Sequence, residues 1–337
     1  MNRRVIFIFS AVIALLICLM ADLSIGAIGI SWRTVIGAFV RFDADNYDHF
    51  VVLYQRFPRA LIAVYVGATM ATGGLVLQGL TRNPLAAPAT LGINAGATLF
   101  VVAAAYALGL GAAALGVAAL LGGVTGFLCC LAVARLADPS RDPRGLALIL
   151  SGALVSMLFI GLANAFLLAD PARRTDFLGW VTGNINHVYA DRLALVWPIG
   201  LSALSVLMLL ARPLTLITLG VDKAASAGVA VARVTWLALA AVTLGSASAV
   251  AICGPVGFIG LIVPHMVRPF VGSSLVLALP TCAVTGAAVC LVADLIARQA
   301  LAPYVLHTGL IMDLLGGLIF VLIVRRFYLQ PGARSAP

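Results

Sequence analysis

Gln55 to Ala97 reads QRFPRALIAVYVGATMATGGLVLQGLTRNPLAAPATLGINAGA, and its reading decides the fold. Two arginines, Arg56 and Arg59, stand at the mouth of an apolar run of about twenty residues, the length that crosses ~30 Å of hydrocarbon. Small residues stud the run: Gly67, Ala68, Ala71, Gly73 and Gly74. Such residues let helices approach backbone to backbone. A polar, proline-broken loop follows, Thr81-Arg82-Asn83-Pro84-Leu85-Ala86, and a second helix begins near Leu91-Gly92. Broken backbone at a membrane face is tolerated only where protein buries it or where it lines a cavity. The stretch therefore reads as a closely packed helix pair beside a water-filled route.

Composition carries that reading to the whole chain. Of 337 residues 63% are hydrophobic and 10% charged, with a mean hydropathy of +1.12. Soluble domains carry roughly 25% charged residues. The chain is thus an all-α, polytopic membrane protein, a single transmembrane domain over residues 1–337 with no polar second domain. The net charge of +9 is distributed as membrane topology requires and does not point to nucleic acid. Every acidic residue is Asp, and Lys223 is the only lysine. A phosphate-cradling GxxxxGK[ST] loop needs Gly before its Lys, whereas Lys223 follows Asp222. Any ATP hydrolysis must occur in a separate subunit. The six cysteines (Cys18, Cys129, Cys130, Cys253, Cys282, Cys290) lie in apolar segments without CxxC spacing and read as small buried hydrophobes. No HExxH, GxSxG or His/Asp metal cluster is present, so the chain is not read as an enzyme and needs no cofactor or metal of its own.

Ten apolar windows are candidate spans, at about 5–24, 58–79, 91–109, 112–136, 146–168, 191–211, 232–253, 256–271, 275–299 and 308–326. The first, behind Arg3-Arg4, is read as a retained helix and not a cleaved signal. The eighth is short and holds Pro264, so it is expected to be broken or only partly spanning. With an even count both termini share a side. Thirteen of the 21 Lys and Arg residues fall on that side and eight opposite, which places both termini in the cytoplasm. The outer loop 25–57, with Asp43, Asp45, Asp48 and His49, is read as a solvated acidic loop. Asp138-Pro-Ser-Arg-Asp-Pro-Arg144 is a basic cytoplasmic loop. The fifth span carries Ser151-Gly152, Ser156, Gly161 and Asn164 on a small, polar face suited to a pore lining or a helix contact. Trp180 suits an interfacial aromatic belt.

Three further blocks stand out. Leu214–Val229 is amphipathic, Ala-rich and punctuated by Gly220 and Gly228, an interfacial helix pair by composition. Gly254-Pro255-Val256-Gly257-Phe258-Ile259-Gly260-Leu261-Ile262-Val263-Pro264-His265-Met266-Val267-Arg268 holds one histidine with no metal or catalytic partner in reach of the pattern, so His265 reads as structural or capping. Asp294 and Arg298 lie four apart on one helical face and can pair. An unpaired carboxylate at membrane depth costs ~2.5–3.5 kcal/mol or more. Asp313, within an apolar helix, is the costliest charge, and pairing with a polar group of a neighbouring helix is its expected resolution.

These blocks resemble the permease family of the ATP-driven importers for iron-siderophores, haem and cobalamin, the type II ABC importer permeases of FecCD type. The match runs from about residue 50 to 326 in order. Gly254 to Arg268 falls on the family's Gly-x-Ile/Val-x-Phe-x-Gly-Leu-x-x-Pro-His-x-x-Arg pattern, with Gly257, Phe258, Gly260, Pro264, His265 and Arg268 as its structural residues, and residues 173–184 fall on its short outer helix. The last helix departs from pattern, since its usual acid and both prolines are replaced around His307, Gly309 and Asp313. The resemblance implies ten helices per chain, two halves of opposite topology, and a dimer with an identical or paralogous permease. It further implies ATPase subunits that hold ATP and Mg below, a periplasmic or lipoprotein substrate-binding protein above, and a bacterial inner-membrane location in lipid. By the same resemblance, Arg56, Arg59 and Arg298 receive acidic residues of the binding protein. Gly220, Asp222, Lys223, Ala227 and Gly228, within a coupling segment of about 214–230, dock on the ATPase. Asn83, Pro84, Leu85, Ser151 and Gly152 belong to the gate or pathway. A ferric siderophore is the expected cargo, with haem or cobalamin as alternatives. A secondary transporter using Asp294 or Asp313 as an ion site is the distant rival.

Overall fold

The structure, a computed structural model, describes residues 3–26, 28–136, 146–169, 179–302 and 304–328. The loop at 138–144 and the outer residues Arg173 to Leu178 lie outside them. In chain order the helices are α1 (Arg3–Ser24), α2 (Trp32–Val40), α3 (Tyr47–Val51), α4 (Phe57–Leu80), α5 (Ile93–Leu108), α6 (Ala112–Leu136), α7 (Leu146–Ala169), α8 (Ala190–Leu209), α9 (Ala211–Leu219), α10 (Val221–Ser226), α11 (Val231–Cys253), α12 (Ile259–Val271), α13 (Leu275–Gln299) and α14 (Thr308–Tyr328). Ten of these occupy the ten expected windows. Among the described residues seven helical segments are long and apolar enough to cross a membrane, and Ile93–Leu108, Ile259–Val271 and Thr308–Leu322 are shorter apolar helices.

The helix read as decisive sits at the centre. α4 packs against α13, α11 and α12 and is buried almost all round, as a helix apolar on every face must be. Its small residues are the reason. Gly67 meets the backbone of Gly286 on α13, and Gly74 meets the backbone of Gly260 on α12. A Cβ at either glycine would overlap the facing carbonyl. The same device joins α5 to α6, where Gly92 faces Gly126 and Gly96 faces Gly122. By contrast α1, α7 and α8 leave most of their apolar surface outward.

Pro264 does not break its helix. It sits inside α12 with Pro269 and lacks the N–H that would reach the carbonyl of Gly260. Gln78 of α4 fills that vacancy: its Nε2 donates to the Gly260 oxygen at 3.4 Å and the Leu261 oxygen at 3.2 Å. His265 bonds back one turn through Nδ1 to the Leu261 oxygen at 2.7 Å, and Arg268 reaches the Leu75 oxygen at 3.5 Å. The interruption falls before the helix, at Gly254–Phe258, where Gly254 has φ +81° and Phe258 has φ +60°.

Two expectations are corrected. The outer loop 25–57 is largely helical. Ser31 caps α2 by accepting from the Thr34 N–H at 3.2 Å, and Asn46 caps α3 by accepting from the Asp48 N–H at 3.0 Å. Through a π-helical turn at Val52–Arg56, α3 runs on into α4. Asp43 and Asp45 are exposed as expected, but His49 is buried and accepts from the Asp43 N–H at 3.1 Å. Trp180 is 6% exposed and so does not stand in an interfacial belt. Its carbonyl lies against Gly254, while Asn184 N–H donates to the Cys253 oxygen at 2.7 Å and Gly309 N–H to the Gly183 oxygen at 2.8 Å. Residues 179–184 dip into the bundle, and Trp180 is a packing residue.

Candidate functional site

At one end of the bundle five charged side chains converge. Asp294, fully buried near the end of α13, accepts from Arg59 Nε at 2.8 Å and Nη2 at 3.0 Å, a two-pronged pair. Thr308 Oγ1 donates to the same carboxylate at 2.7 Å, and Arg298 Nε lies 3.2 Å from it. Arg298 also ion-pairs with Asp22, buried in the last turn of α1. Arg56 donates to the carbonyls of Leu23 and Ser24, each at 2.8 Å. α1, α4, α13 and α14 are thereby clasped at one point. The i,i+4 contact expected between Asp294 and Arg298 is present, but the stronger partner is Arg59, 235 positions away. Asp22 and Thr308 were missed. An isolated Asp at the end of the first apolar span was the available signal, because an intramembrane acid requires a partner.

The three arginines of the cluster line a pocket of about 440 Å³ together with Gln55, Asp48 and Gln299. Arg56 and Arg59 are only 7% and 9% exposed, so the three arginines serve first as internal braces. Arg192, also buried, caps the end of α11 by donating to the Ile252 oxygen at 3.5 Å and lies over the Tyr189 ring at 4.8 Å.

At the opposite end, Thr81 to Ala86 forms a tight, self-bonded turn. The Leu85 N–H donates to Asn83 Oδ1 at 2.9 Å and the Asn83 N–H to Thr81 Oγ1 at 3.3 Å. Pro84, Thr218 of α9 and Arg268 of α12 line a common pocket of about 280 Å³, so the loop and the α9 helix are neighbours. The next turn, Pro88–Leu91, presses its backbone on Gly152 of α7. Ser151 is 4% exposed. This pair is a helix contact and not an open lining, because Gly152 has no room for a side chain there; Gly161 and Asn164, farther along α7, face outward.

Beyond the pocket, α9 and α10 form a projecting elbow. Gly220 (φ +151°) and Gly228 (φ +82°) bend it where a side chain would be strained. Asp222, Lys223, Ala227 and Gly228 are exposed, as are Leu219 and Val221, and Ala224 alone of α10 is buried. Asp313 differs from expectation. It is exposed and has no ion pair or hydrogen bond among the described residues. Its Oδ1 occupies the space over Gly257 that a Cβ would enter at 2.5 Å. No group of His, Cys or Asp able to hold a metal occurs among the described residues.

A bundle built on glycine seams, with irregular backbone between α11 and α12, an ion-pair cluster at one end and a projecting elbow at the other, is the architecture of a membrane transport permease. The chain belongs to the FecCD transport family, whose model matches residues 14–326. It is 32% identical over 324 residues to the Fe(3+) dicitrate transport system permease protein FecD of Escherichia coli, covering 96% of this chain and 99% of that one. It is 34% identical over 340 residues to the hemin transport system permease protein HmuU of Yersinia pestis, covering 97% and 98%. Among solved structures it resembles an inward-facing transporter described as of the metal-chelate ABC type. There the TM-score is 0.79 at 27% identity, over 95% of this chain and 98% of that one. The all-α, type II ABC importer permease fold expected from sequence is the fold found.

Proposed function

We propose that this chain is the translocation subunit of an ATP-driven importer that carries a ferric siderophore across the bacterial inner membrane by alternating access. The carrying observation is the elbow at Gly220–Gly228, exposed, apolar-tipped and standing beside the Thr81–Ala86 loop through Thr218. An ATPase dimer binding Mg-ATP would grip this elbow, within a coupling segment of about 214–230. Its closure would push on α9, the loop at Asn83, Pro84 and Leu85, and through the next turn Ser151 and Gly152 of α7, switching the gate. Hydrolysis belongs to that partner. The chain itself forms one membrane domain with both termini cytoplasmic, paired with an identical or paralogous permease. At the outer end a periplasmic or lipoprotein binding protein would settle over the arginine pocket. The field of Arg56, Arg59 and Arg298 would draw acidic residues of its two lobes and speed encounter. Haem is the second reading, favoured by the likeness to HmuU.

Ala227→Trp tests the coupling assignment. Ala227 is exposed and its φ of −82° suits any side chain, so the variant folds. Uptake by the complete transporter should fall at least about tenfold, the scale of losing ~1.4 kcal/mol of coupling, while the binding protein still takes up its chelate. Unchanged uptake would remove the elbow from the mechanism.

A further inference from the structure

Asp313 and the helix break coincide, and neither suits lipid. α12 has 13 residues, about 20 Å of rise, so Gly254–Phe258 lies well inside the membrane if Val271 is at its inner face. Pro255, Gly257 and Phe258 are half-exposed there, and irregular backbone at such depth is found only where protein covers it or water reaches it. Asp313 sits over Gly257 with no counter-ion among the described residues, and an intramembrane carboxylate without a partner faces a water-filled cavity. Phe258, at φ +60°, holds strain of the kind that marks functional sites, and its ring packs on Gly316, one turn beyond Asp313. Two independent features thus ask for water at one spot on α14.

We propose that Asp313 lines the translocation route at this break and sets its charge preference, so that the preferred cargo is a neutral or cationic ferric chelate, of the tris-hydroxamate kind, and not a trianionic tris-catecholate. The proposal rests on the permease reading. Discontinuous helices commonly build the substrate zone of transporters, and a fixed negative charge in a narrow, poorly screened passage repels polyanions strongly.

Gly317 supplies the test. It lies four residues after Asp313, on the same helix face, and a Cβ there meets nothing within 4 Å. In the complete transporter, with the half-buried Cys18 and Cys129 changed to alanine, Gly317→Cys should react with membrane-impermeant methanethiosulfonates. It should prefer the trimethylammonium reagent over the sulfonate, and Asp313→Asn should cut that preference by about tenfold, the scale of one unit charge acting on reagents of opposite sign over ~6 Å in water. Asp313→Asn should also slow ATP-dependent uptake of an amine-bearing tris-hydroxamate chelate relative to its neutral parent. Failure of the Gly317→Cys thiol to label, or a preference unmoved by Asp313→Asn, overturns the lining assignment; equal effects on the two chelates overturn the cargo assignment. Absence of ATP-dependent uptake in the unmutated transporter would instead strike the permease reading and leave the labelling result standing.

Discussion

Asp294→Ala should be the most damaging single replacement in the chain. The carboxylate is fully buried and takes donors from Arg59 and Thr308, with Arg298 beside it. Its loss leaves the Arg59 guanidinium, 9% exposed, with no acceptor. Removing one partner of a buried ion pair costs about 3–5 kcal/mol, whereas replacing both with apolar groups of similar volume is often neutral. The single variant should therefore unfold well below the parent temperature in detergent, and Arg59→Met with Asp294→Leu together should recover more than half of the loss. An additive double variant would show that the pair is not the clasp. Asp22 and Arg298 remain paired in both variants, so the comparison isolates the Arg59 arm.

Gly74→Ala ranks next. One methyl group added there would enter the Gly260 carbonyl, backbone against backbone, where no flexible side chain can yield. Overpacking costs typically 1–3 kcal/mol, and a rigid contact belongs at the upper end, about 3 kcal/mol. The shift should be accompanied by weakened seating of α12, since Gln78 satisfies the carbonyls beside Pro264 only while α4 and α12 stay this close. Gly161→Ala is the control: its Cβ would meet nothing within 4 Å, and relief of glycine's helix cost should leave stability equal or up to ~1 kcal/mol higher. Equal stability of Gly74→Ala and the parent would mean the seam is not a close contact.

These two sites mark what a linear reading reaches. The glycines of α4 announce a close seam because small residues in an apolar helix have few other uses, and the ten windows follow from hydrophobic length alone. Which glycine meets which helix is not written locally; Gly67 and Gly74 face different neighbours. Likewise Asp294 and Arg298 advertise their pairing through four-residue spacing, whereas Arg59, Asp22 and Thr308 join them only once four helices assemble. Trp180 was misjudged because an aromatic near a span end suits both an interface and a packed segment, and tertiary burial decided. The outer helices were missed because short, capped helices of mixed polarity resemble loops in any hydropathy window. Asp313 was expected to pair. It has no ion pair or hydrogen bond among the described residues, and which neighbours surround it is set by helix assembly, which no local pattern reveals.

The central claim is that this chain is a passage driven by a separate ATPase gripping the elbow at Gly220–Gly228. The most direct measurement is uptake of ferric chelate into vesicles holding the reconstituted permease, with and without its ATPase partner and with a hydrolysis-dead ATPase. Uptake should require the partner and hydrolysis together and should ignore an uncoupler. Full-rate uptake without nucleotide hydrolysis, abolished by the uncoupler, would contradict it and point to ion coupling at an intramembrane aspartate.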